Sequence, residues 1–146
     1  MQKFAMAGYD TEKIMSATSA TLALAAAGNT DLALTCDIVS DAMTGLKLNA
    51  KETGDFVDIM TATITGSNTD IAMLGETMKY VAPVAGSLGV EFKDLALAAG
   101  LMGNAGVKAS QAGTSIRSGL SRLIKPTKEV SAAMSKYGIN LKKTDK

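Results

Sequence analysis

The chain has 146 residues and a net charge of +1; it is 47% hydrophobic but only 4% aromatic, with one Cys, no His and no Trp. At that length one domain buries roughly two-thirds of the surface its unfolded chain exposes, and the core must be built from Ala, Leu, Ile, Val and nine Met, which suit closely packed helices. The missing imidazoles and thiols exclude an intramolecular disulfide, a four-ligand structural zinc and Ser-His chemistry, and no metal or cofactor is expected.

The opening residues MQKFAMAGYD lack the apolar stretch of a secretory signal, so the default compartment is the cytoplasm. Gln2–Ala7 reads as a short helix or frayed end stopped by Gly8. From Glu12 to Ala27, Ile14, Ala17, Thr21, Leu22 and Ala25 recur at helical spacing, and Gly28 is the stop. Asn29-Thr30-Asp31 opens the next helix: Asn and Thr oxygens accept from its first N–H groups, and Asp31 favours the positive end of its dipole. That helix runs to about Thr44, buries Leu32, Cys36, Val39 and Met43, and ends at Gly45. Cys36 is read as a small buried hydrophobe. Asp37 and Asp41 share a stripe, but with no third ligand nearby in the sequence they read as a solvated face.

Asn49-Ala50-Lys51-Glu52 has capping-box spacing and opens a helix with Val57, Met60 and Ile64 inside, Phe56 beside them, and Asp55 and Asp58 outside. Gly66-Ser67-Asn68 breaks the chain. Asn68-Thr69-Asp70-Ile71-Ala72 then repeats Asn29-Thr30-Asp31-Leu32-Ala33 at an offset of 39 residues, and the loops at 46–52 and 88–94 echo each other. Either a weak internal repeat or the ordinary look of capped, stapled turns accounts for this.

Ile71, Leu74, Met78, Val81, Ala85 and Leu88 form the best apolar stripe in the chain. Pro83 lies within it and predicts a kink or break around Tyr80–Val81. From Phe92 to Met102 two faces are apolar, one with Phe92, Leu95, Ala99 and Met102 and another with Leu97 and Leu101, which predicts a central helix over 92–102. The run GNAGVKAS lacks the spacing of a phosphate-binding loop and follows no strand. It reads as a helix end, a glycine-rich turn and a new helix capped at Ser110. That helix, Gln111–Lys125, buries Ala112, Ile116, Leu120 and Leu123 or Ile124, and Pro126 stops it. Thr127 starts a last helix to about Tyr137 with Val130, Ala133 and Met134 inward, and Lys142–Lys146 is expected to be disordered.

The fold expected is therefore all-α: a compact array of six to seven short helices, kinked at Pro83, without β-sheet. Charge divides it unevenly. Residues 1–107 carry 6 Lys/Arg against 12 Asp/Glu, and residues 108–146 carry 9 against 2. The basic end is either a solvated tail or a docking surface for an acidic partner, copies of the same chain or nucleic acid; without interleaved aromatics, specific nucleic-acid binding is not expected. Lys108, Gln111, Arg117, Arg122 and Lys125 are the candidate contact residues. No apolar run reaches the roughly 20 residues of a spanning helix, and the Leu95–Val107 stretch, the one membrane candidate, is too short.

The segments VAPVAG (81–86), LGVEFKDLA (88–96) and NAGVKASQAGTSIR (104–117), with ALAAAGNTDLA (23–33), carry a resemblance to the core region of phage tail tape measure proteins. The resemblance covers most of Glu12 to about Ile124 and implies a core fragment over 1–125, followed by a short helix and basic end over 126–146. It implies a structural protein that organises tail tube assembly and sets tail length. Its partners would be other copies of itself, the tail tube protein and tail assembly chaperones, first in the host cytoplasm and then in the virion tail. No catalytic residue is implied. The competing classes are a small helical peptidoglycan hydrolase using Glu52, Glu76 or Glu91 as acid, which would need a desolvated carboxyl, and a membrane-active segment used in genome delivery.

Overall fold

A computed structural model describes residues 11–139; the expectations for Gln2–Ala7 and Lys142–Lys146 lie outside them. The described chain is helical, with α1 at Thr11–Ala27, α2 at Leu32–Leu46, a 3-10 turn at Ala50–Glu52, α3 at Thr53–Gly66, α4 at Ile71–Leu88, α5 at Phe92–Asn104, α6 at Ala109–Ile124 and α7 at Lys128–Lys136. No strand occurs among the described residues.

Short polar side chains set the helix starts. Asp31 is itself the cap of α2, its carboxylate accepting from the Leu34 N–H at 3.0 Å, while the Thr30 hydroxyl turns to the Gly28 carbonyl; the capping assigned above to Asn29 and Thr30 is corrected accordingly. Asp70 caps α4 in the same way, accepting from the Met73 N–H at 2.7 Å. At Asn49 the capping box is complete: its side chain accepts from the Lys51 N–H and the Glu52 carboxylate accepts from the Asn49 N–H. α6 is capped at Lys108 rather than Ser110 and begins at Ala109, which holds a left-handed φ of 51°.

The helices pack mainly with their second neighbours in the chain, so that α1, α3 and α5 form one layer and α2, α4 and α6 the other. Leu32 to Ile71 and Thr53 to Phe92 are both 39 residues, so the sequence echo at that offset corresponds to successive rungs of a two-layer array. The rungs run in the same direction. Along α2 and α4, Ile38 lies beside Gly75 and Gly45 beside Ala82; along α3 and α5, Thr63 and Ser67 lie beside Gly100 and Asn68 beside Gly103. The Asn104 side chain also accepts from the Asn68 N–H at 2.7 Å. Phe56 and Phe92, in the first turns of α3 and α5, stack at 4.1 Å between ring centroids.

α4 is the hub. Ile71, Leu74, Met78, Val81 and Ala85 are all buried, with α2 on one side and α6 on the other. Small residues allow that closeness: a Cβ on Gly86 would lie 2.5 Å from the Gly45 carbonyl oxygen, and one on Gly113 2.6 Å from that of Thr77. Gly45 is thus a packing residue inside α2, which continues to Leu46 and ends on Lys47 in the left-handed conformation. α4 is one continuous helix through Pro83, so the chain does not break there; the ring removes the bond that the Lys79 carbonyl would accept from residue 83.

The central role predicted for 92–102 is corrected by exposure: Phe92, Leu95 and Ala99 are buried, but Leu97 and Leu101 are 63% and 61% exposed. A second apolar face on a helix at the side of its layer has no neighbour to cover it. The same reason moves Leu22 and Leu32 to the exposed set while Leu24, on the stripe of Ala17 and Thr21, is fully buried. Leu123, Ile124, Val130 and Ala133 are exposed as well, against the inward positions expected for them. Buried Thr21, Thr35 and Thr77 each donate to a carbonyl four residues back, which satisfies their hydroxyls inside the core.

Candidate interaction surface

α6 and its two cap positions, Lys108 and Lys125, carry the five residues singled out from sequence. Ala112 and Gly113 are buried against α4, with Ile116 and Leu120 packed beside the core. Gln111, Arg117, Arg122 and Lys125 are exposed and Lys108 is half-buried at the cap. At 100° per residue, Arg117 and Arg122 stand about 140° apart around the helix, on the side away from the core but not as one tight cluster. Ser110, Thr114, Ser118 and Ser121 fill the space between them, and no carboxylate occurs from Leu95 to Lys128. The face can attract an anionic surface. Gln111 also borders, with Tyr80, Val107, Ser110, Thr114 and Ser115, a shallow notch of about 490 Å³ between α4 and α6.

Two grooves follow from the rung geometry. One, of about 410 Å³, runs between α2 and α4 and is lined by Leu34, Ile38, Ala42, Gly45, Gly75, Met78, Ala82 and Pro83 with Asp37, Asp41 and Lys79. The other, of about 300 Å³ between α3 and α5, is lined by Ile59, Ala62, Leu97 and Leu101 with Thr63, Gly66, Ser67, Lys93, Ala96, Gly100 and Asn104. Sequence reasoning missed both, because it assigned Leu97 and Leu101 to the core and Gly45 to a helix end.

α7 forms where Thr127 predicted a last helix, but its exposure was missed. Val130, Ala133 and Tyr137 are exposed and Met134 half-buried, and among the described residues α7 has no extended packing against any other helix. Thr127 caps it at 3.4 Å. Glu129 sits in its first turn, where hydrogen bonds from its own N–H and the Thr127 hydroxyl hold its carboxyl below the usual range.

The candidate acids are engaged elsewhere. Glu52 is part of the capping box, Glu76 pairs with Lys79 at 2.9 Å, and Glu91 pairs with Lys93 at 2.7 Å in the open. The partners raise the Lys79 and Lys93 ammonium groups above their ordinary range, chiefly through those hydrogen bonds. Among the described residues no three His, Cys, Asp or Glu side chains come together as a metal site. Burial pushes the Cys36 thiol up. Among the described residues no single helix is long and apolar enough to cross a membrane. By length and composition the bent pair Ala17–Ala27 and Leu32–Leu46, with 118° between its halves, and not Leu95–Val107, is together long and apolar enough, but that pair supplies Leu24, Val39 and Met43 to the core.

The model of the phage-related minor tail protein family matches residues 1–146. The chain is 36% identical over 140 residues to a tape measure protein of Pneumococcus phage Dp-1, covering 96% of this chain and 12% of that protein. It is 28% identical over 135 residues to a probable tape measure protein of Escherichia phage P2, covering 92% of this chain and 17% of that one. The chain thus spans less than a fifth of the length of either relative. No solved structure gives a significant match.

Proposed function

This chain belongs to the phage-related minor tail protein family, and from that premise we propose that it is a structural interaction domain of a tape measure protein, acting in tail assembly rather than in catalysis. The observation that carries this reading is the similarity over nearly all of the chain to tape measure proteins, joined to a fold whose unspent features are surfaces: two grooves, a basic helix face and an unpacked terminal helix. The array of α1 to α6 is the body and α7 an appendage. In the assembling tail the partners are other copies of the tape measure protein, the tail tube protein and assembly chaperones. The body meets them through Lys108, Gln111, Arg117, Arg122 and Lys125, first in the host cytoplasm and then in the virion tail.

Setting tail length would be a property of the whole protein, of which this stretch supplies a folded anchoring element. The test is an in-frame deletion of residues 11–139 from the phage-encoded protein, with particles inspected by electron microscopy. Loss of assembled tails is expected; tails normal in number and length would overturn the reading.

A further inference from the structure

Helix α7 has the form of a ligand. Val130, Ala133, Met134 and Tyr137 recur at helical spacing, flanked by Lys128 and Lys136, and this stripe lies largely in the open. The α2–α4 groove has the complementary form: about 410 Å³ of space with the exposed apolar side chains of Leu34 and Pro83 and the exposed carboxylate of Asp41 among its lining residues. Resting on the structural reading above, we propose that α7 of one copy seats in the α2–α4 groove of a second copy.

Charge favours a second copy as the occupant. The half that contains the groove is acidic, whereas the half that contains α7 is basic, so the two ends of neighbouring chains attract. Local geometry keeps α7 from docking on its own array as α3 and α5 do after their predecessors. α2 and α4 end on left-handed residues, Lys47 and Gly89, which fold the chain back. α6 ends instead on Lys125, at φ −120° and ψ 70°, ahead of Pro126. A residue before proline is disfavoured in helical conformations, so the third turn lacks the device that closed the first two.

Groove and ligand are different surfaces, so the contact is heterologous: every copy that has given its α7 still offers a groove, and association continues from copy to copy. A helix of nine residues buries less than the roughly 1,200 Å² typical of stable complexes. The association is accordingly weak and grows with concentration.

The test uses light scattering on the full chain across a concentration series. The mean mass is expected to climb above the 15.0 kDa of one chain, and Met134→Asp or Leu34→Asp to shift that climb to about tenfold higher concentration or more. Both side chains are accessible, and unchanged helicity verifies the fold of each variant. In a second measurement, a Leu34→Cys chain and a Met134→Cys chain are mixed under oxidising conditions, and a disulfide joining the two kinds of chain is expected. A constant 15.0 kDa mass, a climb untouched by Met134→Asp, or no mixed disulfide would overturn the proposal. Tail loss on deletion of 11–139 combined with a monomeric chain would leave the assembly role standing and remove only this contact.

Discussion

Helices α4 and α7 both carry apolar residues at three- and four-residue intervals, yet Met78 in the first is buried and Met134 in the second is not. The difference is in their neighbours. α4 has α2 and α6 alongside it in register, whereas α7 follows a turn that does not return it to the array. An apolar stripe specifies a side that must be covered somewhere; what covers it is decided by the turns on either side.

The strongest way to break the comparison is at the α2–α4 crossing. Gly86→Ala sets a methyl group against the Gly45 carbonyl and the Leu46 backbone, and backbone cannot step aside as a flexible side chain can. A loss of about 3 kcal/mol is expected, read as a fall in the denaturant midpoint. Ala133→Leu on α7 should leave that midpoint in place at low protein concentration. Of similar size, Met78→Ala opens a void in the hub and is expected to cost about 2–5 kcal/mol. Met134→Ala in the monomer should stay within about 0.5 kcal/mol; chemical denaturation of the two variants side by side tests the contrast.

Thermal melts would sharpen the account of the turns. Lys47 pays for a left-handed backbone at φ 60°, so Lys47→Gly is expected to stabilise by about 1 kcal/mol. The smallest effect concerns α7 alone. The Glu129 carboxyl, held low by its own N–H and by Thr127, favours the helix in its ionised form. Its folded pKa lies below the unfolded one, so the contribution is complete above the unfolded carboxylate pKa and vanishes as pH falls through the folded one. Amide signals of Val130 to Lys136, followed by NMR through an acid titration, should shift toward coil before those of α4.

Much of the array was legible. The Asn49–Glu52 box and the Ile71–Ala85 stripe act through neighbours within one or two turns, so their consequences are written locally; at Asp31 and Asp70 the helix start was legible but not which side chain caps it. Glycine was harder to read. Gly45 looks like a stop signal, but its part is to admit Ala82, a residue 37 positions away, and nothing local distinguishes the two uses. Leu97 and Leu101 misled for the related reason that periodicity cannot say which layer a helix joins or which of its sides faces water. On α6, spacing placed Arg117, Arg122 and Lys125 on the open side, whereas the grooves were invisible because each is made by two helices far apart in the chain.

The same-direction rungs carry a consequence for how such a domain can change in size. Each rung is held chiefly by the rungs before and after it, so the array has no closed shape to be spoiled by growth. Parallel helices in contact lie about 8–10 Å apart. Duplicating one 39-residue helix pair, such as 32–70, would therefore extend both layers by a single step of about that size, and removing one would shorten them equally. Evolution can alter the reach of this fold in discrete units without redesigning its core.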